Sequence, residues 1–166
     1  MSLRRASISW NSNQIAKMIQ GGKIGFDNIV QRSHVWEKAR KSKLIESMLM
    51  GYSVPPVYAK RGEGKIYDVL DGKQRLSAIQ QYLSDEYALT SVSSVAIEDV
   101  ATNEVKTYEI EGMKYSDLPE EIQEVLKAFS MTVHYFDDIT QEEEREMFKR
   151  LNAGKPLSVK ERNIAN

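Results

Sequence analysis

Apolar residues along the chain switch between a helical period and a strand period. Ile15, Met18 and Ile19 share one helical face, which predicts a helix over Asn13–Gln20, capped by Ser12 and stopped by Gly21-Gly22. Leu44, Ile45, Met48 and Leu49 form the stripe of a second helix, Glu37–Met50, ended by Gly51. Leu76, Ile79 and Leu83 mark a third over Lys73–Leu83. Asp117 with Glu120 reads as a capping box for a fourth, whose core face is Ile122, Val125, Leu126 and Phe129. Thr140 with Glu143 is a second capping box, and its helix carries Met147, Phe148 and Leu151 to Asn152-Ala153-Gly154. A further helix begins at Pro156 and meets no stop signal, so the chain is expected to be part of a longer protein.

Strand patterns stand between these helices. Asp27–Gln31 is short, and Met131–Phe136 alternates cleanly. Pro55-Pro56 leads into Val57–Lys60, which the turn chemistry of Gly62–Gly64 joins to Ile66–Leu70 as a hairpin. Tyr87–Thr90 and Thr107–Ile110 are weaker candidates. Helices interleaved with short strands predict one α+β domain over residues 1–166, a small mixed sheet flanked by several helices.

Composition narrows the function classes. At 166 residues the chain can bury roughly 70% of the surface it exposes when unfolded. It has no cysteine, which excludes disulfides and thiolate metal sites and suits a reducing cytoplasm. No apolar run approaches the roughly 20 residues that span a bilayer, and Met1–Trp10 lacks the apolar stretch of a secretory signal, so no membrane partner is expected. Lysine and arginine number 23 against 24 acidic residues, a net charge of −1 that by itself points to no polyanion. The distribution is more informative: Arg32, Lys38, Arg40, Lys41 and Lys43 form one basic stretch, and Lys149, Arg150, Lys155, Lys160 and Arg162 another. Each is either a solvated helix face or a phosphate-binding surface.

The sharpest chemistry lies in Val69-Leu70-Asp71-Gly72-Lys73-Gln74-Arg75-Leu76. A strand ends, a carboxylate and a glycine follow, and a helix opens. Its first turn offers free N–H groups and the positive end of the macrodipole. Gly72 permits close approach to the backbone. Lys73 supplies a point charge and Arg75 a bidentate fork, both suited to phosphate oxygens. Asp71 would repel phosphate unless a cation such as Mg²⁺ offset its charge. Alternatively, Asp71 caps the helix and pairs with Lys73 or Arg75.

This segment resembles the DGQQR motif of the N-terminal domain of GmrSD-type (type IV) restriction enzymes, with Lys73 in place of the first glutamine. Three other blocks agree, in the same order. Gln31-Arg32 followed by Trp36 is similar to the family's Q-R-x-x-x-W, and Leu44–Pro56 to its L-I-x-S-x-L-x-G-x-x-I-P-P. Phe148–Leu157 with Glu161 and Arg162 is similar to its F-x-R-L-N-x-G-x-x-L…E-x-R. The resemblance implies a fold related to ParB and sulfiredoxin, binding and hydrolysis of a nucleoside triphosphate with Mg²⁺, and a role in restricting modified foreign DNA in phage defence. It also implies a separate C-terminal HNH nuclease domain or subunit, which this chain lacks.

By the same resemblance, Asp71 would bind Mg²⁺ or orient water, Gln74 would position water or phosphate, and Arg75 would stabilise phosphoryl charge. Gly72, Lys73, Arg32 and Asn152 are further nucleotide-binding candidates, and Arg32, Lys38 and Arg40 DNA-binding candidates. Lys73 either strengthens phosphate binding or pairs with Asp71 and weakens hydrolysis. Arg32 equally suits a surface ion pair, and Asn152 a helix C-cap. Trp10 and Trp36 read as core or staple residues, and His134 as a satisfied inner histidine. Two readings stay open: an NTPase that regulates restriction, and a ParB-like module that holds nucleotide or DNA without turnover. A sulfiredoxin-like redox enzyme is disfavoured because that chemistry needs a thiol.

Overall fold

The computed structural model describes residues 4–26 and 35–153. The predicted strand Asp27–Gln31, Arg32, and the motif and helix from Gly154 onward lie outside the described residues.

Five strands make one mixed sheet: β1 (Arg5–Asn11), β2 (Ile24–Gly25), β3 (Val57–Arg61), β4 (Tyr67–Asp71) and β7 (Ser130–Asp137). Their order is β1-β7-β3-β4-β2. β1 runs antiparallel to β7, β7 parallel to β3, β3 antiparallel to β4, and β4 parallel to β2. A separate hairpin pairs β5 (Val95–Asp99) with β6 (Glu104–Tyr108). The helices are α1 (Ser12–Gln20), α2 (Lys38–Met50), α3 (Lys73–Leu83), α4 (Glu120–Ala128) and α5 (Gln141–Asn152). The fold is α+β, a small mixed sheet with helices about it, as the alternating periods predict.

One sheet face supplies the main core. Trp10, Val57, Ala59, Tyr67, Val69, Met131 and Val133 are buried there with Ile15, Ile45, Met48, Leu76, Ile79, Ile122 and Leu126 from α1–α4. Trp10 meets Tyr67 edge-on at 4.8 Å, and Tyr67 meets Tyr135 likewise at 5.6 Å, orientations that aromatic quadrupoles favour. Trp10 is therefore a core residue, as expected. On the other face Leu70, Phe136 and Ile139 form a smaller cluster, joined by Tyr58 from β3 and Met147 from α5.

Several boundaries differ from the sequence reading. Ser12 does not cap α1: Asn11 does, its Oδ1 accepting from Gln14 N–H at 2.7 Å, while Ser12 is buried and its hydroxyl donates to Phe129 O. Asp117 does not cap α4. Its carboxylate accepts from Lys114 N–H across the short 3-10 turn Tyr115–Asp117, and α4 starts after Pro119 with no side-chain cap. Tyr87–Thr90 forms no strand. Tyr87 and Leu89 are buried from an irregular segment, held by Tyr87 OH to Ala78 O and by Thr90 N–H to Ser42 Oγ. The Thr140–Glu143 box is present in both directions, at 3.2 and 2.8 Å.

Candidate functional site

The corner at Asp71 is set by a slip in strand register. Tyr58 pairs with Asp71, but the next β3 residue, Ala59, pairs with Val69, so Leu70 is one residue too many. Such a bulge bends its strand and re-aims the side chains beside it. Val69 stays in the main core, while Leu70 is fully buried in the opposite cluster beneath α5. With apolar anchors on both sides, the end of β4 is fixed, and Asp71 is delivered at its last position.

Gly72 then turns the chain into α3. Its φ of 108° and ψ of 7° suit glycine alone, and a Cβ there would stand 2.8 Å from Val57 Cγ2 and 3.1 Å from Arg75 Nη2. Gly72, the N-cap residue, has no side chain to cap α3. The first N–H to bond back is that of Leu76, to Gly72 O at 3.1 Å. The N–H groups of Lys73, Gln74 and Arg75 therefore have no acceptor within the helix, and the macrodipole adds its positive end to them.

Arg75 turns inward. It is 8% exposed, and its Nη2 donates to Pro56 O at 2.9 Å and to Asp71 Oδ2 at 3.3 Å. One nitrogen thus ties the end of β4 to the residue before β3. Its Nε is buried and meets no acceptor among the described residues, a cost of about 1–3 kcal/mol for an unsatisfied donor. Lys73 and Gln74 stay half-exposed on the outer side of the same turn. Lys73 Nζ lies 5.8 Å from the centroid of the Phe26 ring. Gln74 Oε1 accepts from Trp36 N–H at 3.2 Å.

That last bond joins two helix mouths. Trp36 stands two residues before α2, whose first turn holds no acidic residue. Lys38 and Arg40 are exposed on that turn, with the Arg40 guanidinium 4.5 Å from the Trp36 ring centroid. Trp36 itself packs against the main core, the staple role read from the sequence. Arg40 at the start of α2 is therefore linked to the first turn of α3 through one tryptophan and one glutamine. Pro56, which accepts from Arg75, and Tyr58, which pairs with Asp71, frame the corner and were not among the site candidates in the sequence. The Pro55-Pro56 pair was the available signal, since it fixes the chain at the point Arg75 grips.

Asn152 lies in the last turn of α5. It is buried, and its Nδ2 donates to Phe148 O at 2.8 Å, the bond of a helix-end residue. His134 is satisfied but not inner: it is half-exposed, bonded to Ser7 on the sheet face opposite the main core. A hollow of about 850 Å³ is lined, among the described residues, by Thr140 and residues of α5. None of Asp71–Arg75 lines it.

The family model for the GmrSD restriction endonuclease N-terminal domain matches residues 15–165. The chain belongs to this family. The match spans the bulge, the Asp71–Arg75 turn and both basic helix starts, so the corner sits inside the GmrSD N-terminal domain. No curated protein matches the chain. Among the described residues, no helix of this domain is long and apolar enough to cross a membrane.

The donor set at the corner speaks to the metal. No group of three or more histidine, cysteine, aspartate or glutamate side chains gathers among the described residues. Mg²⁺ needs no such cage, because it is commonly bound through one or two carboxylates together with substrate phosphates and water. Asp71 fits that role as a single carboxylate for a cation arriving with its phosphates.

Proposed function

We propose that this domain binds a nucleoside triphosphate at the mouth of α3 and regulates a modification-dependent DNA restriction system, acting in phage defence in the cytoplasm. The observation that carries the reading is the bond between Trp36 and Gln74. It ties the start of α2 to the first turn of α3, where Lys73 stands half-exposed. Helix N–H groups with nearby cations form a ready phosphate cradle. Asp71 is the carboxylate that would share Mg²⁺ with the phosphates. When bound, that ion neutralises charge developing on the phosphoryl oxygens.

The roles differ from residue to residue. Gly72 makes the turn from β4 into α3, and Lys73, half-exposed after it, attracts the phosphate chain. Gln74 ties the two helix mouths and stands at the edge where water would be oriented. Arg75 is a positioning residue in this arrangement, because its guanidinium is turned to Pro56 O and Asp71. Arg32, outside the described residues, and Asn152, in α5, remain nucleotide-binding proposals from the family motif. Arg32, Lys38 and Arg40 would contact a modified DNA partner in the same proposal, and a C-terminal HNH nuclease domain or subunit does the cutting.

A second reading has its own support. Lys73 replaces the motif's glutamine, and Arg75 is engaged inside the fold, which together favour retention of nucleotide over turnover. The two readings separate in one assay. Phosphate release is measured with Mg²⁺ for wild type, Asp71→Asn and Lys73→Gln. Mg²⁺-dependent release lost in Asp71→Asn supports hydrolysis. Tight nucleotide retention without release supports the binding module. Wild type that neither retains nor hydrolyses any nucleoside triphosphate, with or without DNA, removes both.

A further inference from the structure

The register of the sheet lines up four residues on four neighbouring strands. Asp71 of β4 is opposite Tyr58 of β3, Tyr58 is opposite His134 of β7, and His134 is opposite Ser7 of β1. The row begins at the corner described above. It continues through two aromatic rings whose centroids lie 5.2 Å apart at a tilt of 43°. A hydrogen bond of 2.7 Å joins Ser7 Oγ to His134 Nδ1 and fixes the imidazole. Tyr58 is backed by the Leu70, Phe136 and Ile139 cluster, so its ring is fixed as well. Both rings are half-exposed, on the face away from the main core.

We infer that Tyr58 and His134 form the shelf on which the base of the nucleotide stacks. The inference rests on the phosphate reading of the α3 mouth and adds the part of the ligand which that reading leaves unplaced. Three features support it. Adjacent strands are about 4.8 Å apart, so His134 lies roughly two spacings from Asp71, within reach of a base joined through its ribose to phosphates at the corner. The shelf is rigid, and pre-ordered aromatic rings bind a planar group at little entropic cost. Arg75 sets the distance between the two parts, because the nitrogen that holds Asp71 also holds Pro56 O, two residues before Tyr58. Stacking tolerates any base, since every base has a π-face. The shelf therefore recognises a nucleobase as a class.

The test compares nucleotides with inorganic tripolyphosphate, which has the charge and no base. Binding of ATP, GTP, CTP, UTP and tripolyphosphate, each with Mg²⁺, is measured by calorimetry on the 166-residue chain. Tyr58→Ala is expected to weaken nucleotide binding about tenfold and leave tripolyphosphate unchanged, with Tyr58→Phe close to wild type. Should Tyr58→Ala fail to fold, His134→Ala at the half-exposed end of the row gives the same comparison. In a proton spectrum of wild type, the His134 ring signals should shift on adding nucleotide and not on adding tripolyphosphate. Equal losses for both ligands, no loss for either, or His134 signals unmoved at saturating nucleotide would overturn the shelf while the phosphate reading stands. Wild type that binds neither ligand overturns both.

Discussion

Arg75 Nη2 lies 3.3 Å from Asp71 Oδ2 and 2.9 Å from the carbonyl oxygen of Pro56. The two side chains are 10% and 18% exposed, so the pair is shielded from solvent on both sides. Removing the guanidinium would leave a carboxylate and a carbonyl partly buried with a lost donor. Breaking such a pair costs about 3–5 kcal/mol, far more than a surface ion pair is worth. Arg75→Ala is therefore expected to lower unfolding stability by about 3 kcal/mol in urea denaturation. Arg75→Lys should recover only part of this, because an ammonium cannot reproduce the planar fork. If Arg75→Ala unfolds like wild type and loses only phosphate release, the arginine serves the ligand and not the frame.

Gly72 is held to glycine by two separate constraints. Its φ of 108° strains any L side chain, and the space a methyl would need is taken by Val57 Cγ2 at 2.8 Å. Positive-φ strain costs about 1–2 kcal/mol and overpacking about 1–3 kcal/mol. Gly72→Ala should thus destabilise the fold by about 2–5 kcal/mol, seen as a lower urea midpoint at unchanged slope. Gly64, whose φ is also positive but whose Cβ would meet nothing within 4 Å, is the control. Gly64→Ala should cost only the backbone part, and equal losses at both positions would mean that the Val57 contact contributes nothing.

The contrast between these glycines and the caps explains what the sequence made legible. Helix α3 was readable to the residue because Gly72 and a regular apolar stripe bound it. The Thr140–Glu143 box was readable because both partners lie within one local turn. Asp117 offered the same local pattern and was claimed instead by Lys114 N–H, a choice made by the chain's path into α4. At the site, the residue types at Asp71–Arg75 were legible, but the direction of Arg75 was not. That direction depends on Pro56, 19 residues away, and on a one-residue strand slip that leaves no periodic trace. His134 was misplaced to the interior because alternation identifies two faces without saying which is covered.

Two carboxylates make the fold sensitive to acid. Glu111 is held below its ordinary value of 4.5 by the backbone N–H groups of Val92 and Ser91. Glu143 is held below the same value by the N–H and then the hydroxyl of Thr140. A carboxyl whose folded pKa is depressed adds stability above its unfolded pKa and loses it as pH falls through the folded value. Stability should therefore be flat near neutrality and decline as pH drops below about 4.5, the ordinary carboxyl value. Glu111→Gln should be less stable at neutral pH and show a shallower acid decline, because the protonation that costs wild type its bonds is already mimicked. Thermal melts of both proteins between neutral pH and strong acid give the comparison. An identical acid slope in the two would exclude Glu111 from the effect.

The exposed start of α2 bears on the DNA partner. Lys38 and Arg40 stand on a first turn with no acidic residue, where the helix dipole already disfavours cations. Arg40 is steadied by the Trp36 ring at 4.5 Å, so its charge is presented and not folded away. A surface of this kind gains by meeting phosphates, and each neutralised phosphate releases counterions. Binding to double-stranded DNA should then weaken with salt, with a slope in log K against log salt of about 0.9 per phosphate contact. Lys38→Ala and Arg40→Ala should each reduce that slope by about 1 and weaken modified and unmodified duplexes alike, since phosphate contacts carry no base information. Lys127→Ala, which loosens an exposed pair with Glu124 on α4, should leave the slope unchanged. Binding independent of salt, or a slope equally reduced by all three substitutions, would remove α2 as the DNA-facing helix.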